Sequence, residues 1–223
     1  MLLHTYADFT AYVDEVGALV FGGAFIPGFP TLTELTLDSQ WHTGDPETDP
    51  WQWRDRAAQT RRMAFGCILG GTKGFISPAL YPAFFAACRP AAPLEERYED
   101  GLVPRMVYRL HQFFSPGMQL STAQLRAHLL DARREELSKL DGAIITLQRE
   151  FYITICGSQR KLTATGEPYA WPANAYARTE DWHADWLPQA LLPADQARAL
   201  ILARFPAVDA AALHKKLFGK LPR

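Results

Sequence analysis

The chain has 223 residues, 48% hydrophobic and 12% aromatic, enough to bury a substantial core and too apolar for extended disorder. Its net charge of −1 excludes a protein that coats nucleic acid by charge alone. Cys67, Cys88 and Cys156 are odd in number and far apart, which excludes a disulfide framework or cysteine zinc knuckle; with no basic leader and no apolar run near the roughly 18 residues of a span, a cytoplasmic protein without a membrane partner is expected.

Thr5 to Leu19 reads as an amphipathic helix with Phe9, Val13 and Val16 inward, ended by Gly22-Gly23. Pro27-Gly28-Phe29-Pro30 is a turn, and Thr31 is placed to cap a short helix through Leu37, with Glu34 three residues on as in a capping box. The stretch from Trp41 to Trp53 then holds three of the six tryptophans. Asp49 before Pro50 is an N-cap with proline at the first helical position, predicting a helix from Trp51 to Arg62. Met63 to Leu69 reads as a strand, Gly70 to Gly74 as a hairpin turn and Phe75-Ile76-Ser77 as the return; Pro78 opens a helix ending near Cys88. Arg89-Pro90-Ala91-Ala92-Pro93 is the best linker.

The tryptophan stretch has two readings. Trp41, His42, Trp51, Trp53 and Arg54 can form a pocket that stacks an unpaired base, at roughly 1–3 kcal/mol per base. Alternatively the tryptophans fill the core beneath a proline-rich loop. Asp45, Glu47 and Asp49 alternate as in a calcium loop, but the prolines and the missing glycine and closing glutamate favour helix capping for Asp49.

From Val103 the pattern changes. Val103, Val107, Leu110 and Phe114 give a helix stopped by Ser115-Pro116-Gly117, Met118 to Leu120 a short strand, and Ser121 the cap of a second helix over Thr122 to Leu130. Leu137, Leu140, Ile144 and Leu147 mark a third helix. Arg133, Arg134, Lys139 and Arg149 lie off its apolar stripe. Phe151 to Cys156 is a strand, Gly157-Ser158 a turn, and Gln159 to Thr165 the returning strand that carries Arg160 and Lys161. Helix, strand, helix, helix and hairpin is the order of a winged helix-turn-helix, whose third helix can enter a major groove. Residues 101–165 hold 9 basic and 5 acidic side chains, against 7 and 13 in residues 1–100, so the basic excess falls on this segment.

Beyond it, Tyr169, Trp171, Pro172 and Tyr176 form an aromatic segment leaving the hairpin. Glu180 to Leu187 is a short helix; Pro193 starts one through Phe205 with Ala197, Leu200 and Ile201 inward; Asp209 caps a last one, stopped by Gly219. The expected architecture is α+β and mainly helical, divided into residues 1–95, 96–180 and 181–223. No P-loop, GxGxxG, GxSxG or HExxH occurs, and the six histidines lack ligand spacing. No cofactor and no metal are expected.

Trp51-Gln52-Trp53-Arg54-Asp55, Arg61-Arg62 before a strand, Phe75-Ile76-Ser77, Leu80-Tyr81-Pro82 and the Leu140 to Tyr152 passage with Leu147-Gln148 resemble the AlkZ-type winged-helix superfamily over residues 30–180. That superfamily includes bacterial glycosylases for alkylated DNA bases, which use a Gln-x-Gln pair to position water and stabilise the sugar. This chain has no such pair, Gln40 standing alone, and is much shorter. The resemblance therefore implies the fold and a link to DNA without carrying base excision with it.

Three functions follow as expectations. The first is a winged-helix protein of DNA repair type that binds double-stranded DNA through Arg133, Arg134, Lys139, Arg149, Arg160 and Lys161. The second is a nucleobase-acting hydrolase in which Asp38, Glu34 or Asp45 polarises water. The third is a protein–protein interaction module. A homodimer is compatible with each, though no coiled-coil heptad demands it.

Overall fold

A computed structural model describes residues 1–129, 137–162, 165 and 167–219, with side chains except at 161, 162 and 168–171. The fold is mixed: ten α-helices and two small three-stranded antiparallel sheets among the described residues.

Helix α1 (Tyr6–Val16) is opened by a capping box in which Thr5 and Asp8 bond each other's backbone N–H. It stops three residues before the expected Leu19. Gly17, at φ 92°, donates its N–H to the Val13 carbonyl and turns the chain into β1 (Ala18–Val20). The apolar run Ala18-Leu19-Val20 extends the helical pattern equally well, which hides the strand. β1 pairs with β3 (Thr72–Ile76), which also pairs with β2 (Ala64–Leu69), giving the order β1-β3-β2. Alternate side chains go to opposite cores. Leu19, Phe65 and Phe75 join Phe9, Trp53, Leu110 and Leu147, whereas Val20, Ala64 and Ile76 join Phe84, Ile201 and Leu213.

The capping box at Thr31 does not form. Leu32–Glu34 is a single 3-10 turn without a side-chain cap, and Thr31 is instead bridged to Val20. Asp49 does cap α2 (Pro50–Gln59), and α3 (Tyr81–Cys88) follows the first sheet. Helix α4 (Leu94–Glu99) was not foreseen in its strongly charged segment.

The middle segment supplies α5 (Arg105–His111), β4 (Gln119–Ser121), α6 (Thr122–Ala127), α7 (Leu140–Arg149), β5 (Ile153–Leu162) and β6 (Pro168–Arg178). Ser121 caps α6 by accepting from the N–H of Gln124, whose side chain bonds back to the Ser121 N–H. Leu137 lies before α7 and is exposed. The expected turn at Gly157-Ser158 is an irregularity inside β5, between Ile155 and Gly157, and the strand runs on. The returning strand is β6, the segment read as leaving the hairpin, and it pairs on its other edge with β4 to give the order β4-β6-β5. Its alternating Ala173, Ala175 and Ala177 have low strand propensity, so only pairing on both sides makes it a strand.

Helix α8 (Thr179–Trp182) and a 3-10 turn (Ala184–Trp186) lead to α9 (Ala194–Arg204) and α10 (Ala210–Phe218). Ala197 and Ile201 are buried, but Leu200 is exposed. Asp209 caps α10 through the Ala212 N–H.

Gln148 ties the two sheets' surroundings together. From α7 its side-chain oxygen accepts the Cys67 N–H of β2 at 3.1 Å, and its amide nitrogen donates to the Ile144 carbonyl at 3.2 Å. The position of α7 relative to the first sheet is therefore fixed by a buried main-chain contact.

Candidate nucleic-acid interface

Leu140, Ala143, Ile144, Leu147 and Gln148 bury one side of α7, leaving Lys139, Asp141, Gly142, Ile145 and Arg149 on the exposed side. Lys139 and Arg149 stand at opposite ends of that face, about 15 Å apart along the axis. Arg133 and Arg134 lie outside the described residues, as does the side chain of Lys161.

A cleft of about 520 Å³ opens between α5 and α7. Met106, Val107 and Ala143 form its buried floor, Arg105, Arg109 and Lys139 its cationic surround, and Gly142 and Thr146 part of its α7 wall. Glycine in a helix interior costs roughly 0.5–1 kcal/mol relative to alanine. At Gly142 no packing requires it, because an added Cβ meets nothing within 4 Å.

The aromatic residues are brought together at different depths. Trp53 is fully buried, stacked 5.3 Å from Phe9 with its indole N–H donated to the Glu47 carbonyl. It is a core residue and no wall of a pocket. Trp41 packs edge-on to Phe21 and donates to the Thr36 hydroxyl. His42 and Trp51 are 4.8 Å apart, and the Arg54 guanidinium lies 3.6 Å over the Trp51 ring. A base entering here would have to displace that guanidinium. Buried Asp49 holds the loop closed by accepting from the N–H groups of His42, Gly44 and Trp51.

The three expected carboxylates have separate surroundings. Asp45 is exposed and spent on the Glu47 N–H and the Thr48 hydroxyl, which hold its carboxyl below the usual carboxylate range. Asp38 is exposed in a 3-10 turn, and Glu34 lines a groove with Tyr12, Phe25 and Pro30.

A different carboxylate does sit in a cleft. Gln52, Asp55, Arg56 and Gln59, spaced three and four apart on α2, face Ser158 and Arg160 of β5 across about 350 Å³. Asp55 is within 3.3 Å of Arg54 Nε, and burial pushes its carboxyl up against the opposing pull of Arg54 and Ser158. Arg160 thus faces α2, not the α5–α7 cleft. The one-face spacing of these four residues is the sequence signal for this cleft.

Burial raises Cys88 to about 12 and Cys156 to about 11, so neither supplies a ready thiolate at neutral pH. Among the described residues no group of three or more His, Cys, Asp or Glu is placed to hold a metal, and no helix is long and apolar enough to cross a membrane.

A family model described as AlkZ related matches residues 3–220. The chain belongs to the AlkZ-related family. No curated protein matches it. Among solved structures it is similar to the Streptomyces sahachiroi DNA glycosylase AlkZ, with 10% identity and a TM-score of 0.43. That match covers 75% of this chain and 50% of the other, so the AlkZ-related chain aligns with half the length of the glycosylase. The family match extends the resemblance expected over residues 30–180 to nearly the full sequence.

Proposed function

We propose that this AlkZ-related protein binds double-stranded DNA, in a repair setting, through a winged helix-turn-helix. In this reading α5, α6 and α7 are its three helices, the β4-β6-β5 sheet supports them, and β5–β6 is the wing, within a division of the chain at residues 95 and 180. Its strongest support is the exposed face of α7, where Lys139 and Arg149 mark the two ends and Arg105 stands beside Lys139 across the cleft. Phosphate contacts from such residues position a duplex and release counterions. The acidic N-terminal hundred residues limit adhesion elsewhere on the surface.

Binding of a labelled duplex across a salt series tests this. Affinity should fall as salt rises, and Lys139→Ala and Arg149→Ala should each lower the slope of log affinity against log salt by about one. An affinity absent at low salt, or indifferent to both replacements, removes the reading.

A second reading, hydrolysis at a nucleobase, is favoured by Asp55 in place of Asp38, Glu34 or Asp45. A carboxylate in a cleft with two glutamines and two arginines is equipped to orient water and to offset charge developing on a sugar. Release of base from an alkylated duplex, lost in Asp55→Asn while duplex affinity persists, is the expected outcome. No release by the native chain would eliminate it.

A further inference from the structure

The α5–α7 cleft has a shape and charge that phosphate contacts along α7 do not require. Met106, Val107 and Ala143 make an apolar floor, yet Arg105 and Lys139 stand exposed at its surround. An apolar floor beneath cations is complementary to a flat, weakly polar body carrying an anion, which is the chemistry of a nucleotide. The volume of about 520 Å³ falls in the range of formed small-molecule sites. Gly142 adds an independent observation. Nothing packs where its side chain would be, and any larger residue there would narrow the opening.

We propose that this cleft receives one unpaired nucleotide of a DNA strand, with the base against Met106, Val107 and Ala143 and the phosphate between Arg105 and Lys139. The proposal rests on α7 facing a duplex. Lys139 belongs both to the exposed face of α7 and to the cleft, so a strand followed along the helix brings a nucleotide to the opening. A nucleotide already unpaired enters most readily, because the stack it would leave is already broken.

Fluorescence anisotropy with a fully paired duplex, the same duplex carrying a single-nucleotide bulge, and a free deoxynucleoside monophosphate decides the matter. The bulged duplex should bind about tenfold more tightly than the paired one. Gly142→Trp should bring that ratio to about one, whatever loss it causes to both duplexes alike, since it fills the cleft and removes no cation. Gly142→Ala should keep the ratio, and native circular dichroism in both variants establishes that each has folded. Paired binding with no bulge preference, a preference that survives Gly142→Trp, or a free nucleotide bound as tightly as the bulge each overturns this proposal alone. No binding to any duplex overturns the reading of α7 as well.

Discussion

His183 carries a pH dependence that can be worked out from its surroundings. The ring is fully buried, stacked 4.0 Å from Trp186 and 4.7 Å from Tyr81, with Nε2 3.3 Å from the Thr154 hydroxyl. Burial, helped by the charge of Arg61, lowers its pKa to about 3. The unfolded chain takes up this proton near pH 6.5, so the unfolded state binds more protons between those values. Stability contributed by neutral His183 is present above about pH 6.5 and is lost as pH falls toward 3. The urea midpoint should therefore decline over that window less steeply in His183→Phe than in the native chain. Parallel declines would assign the acid sensitivity to other groups. Nothing in the scattered histidine spacing distinguishes this residue, because its depressed pKa comes from neighbours distant in sequence. Trp53 shows the same at the level of burial: its chemistry fits a base pocket and its position is the core.

In the loop from Trp41 to Trp51, Asp49 alone accepts from three backbone N–H groups. Asp49→Ala removes the cap of α2 and leaves the N–H groups of His42 and Gly44 without their acceptor. The expected loss is about 3 kcal/mol by urea unfolding, with Asp49→Asn losing less because one oxygen remains. An unchanged midpoint would show that the loop finds other partners. Local signals of this kind were legible: the Asp49-Pro50 start, the Ser121 cap and the Asp209 cap are all present, whereas the turn expected over Gly70 to Gly74 closes within Gly70-Gly71 and β3 starts at Thr72. Elements set by pairing were not. β1 is disguised by an apolar run that suits either period, and β6 by its alanines, so the hairpin's return lies one segment beyond the expected Gln159 to Thr165.

At the scale of the molecule, the first sheet feeds both of its faces into apolar clusters, and that is why its strands show no polar alternation in sequence. The basic excess of residues 101–165 was visible by counting, but its distribution was not: Arg160 turns toward Asp55, while Lys139 shares a cleft with Arg105. That cleft joins residues 34 positions apart, which no local motif records.

The amide of Gln148 has a mechanical consequence. Because it grips the backbone of β2 from the last turn of α7, that helix cannot swivel without breaking a hydrogen bond in the interior. A molecule docking there meets an anvil, and whatever bending the encounter demands falls on the visitor.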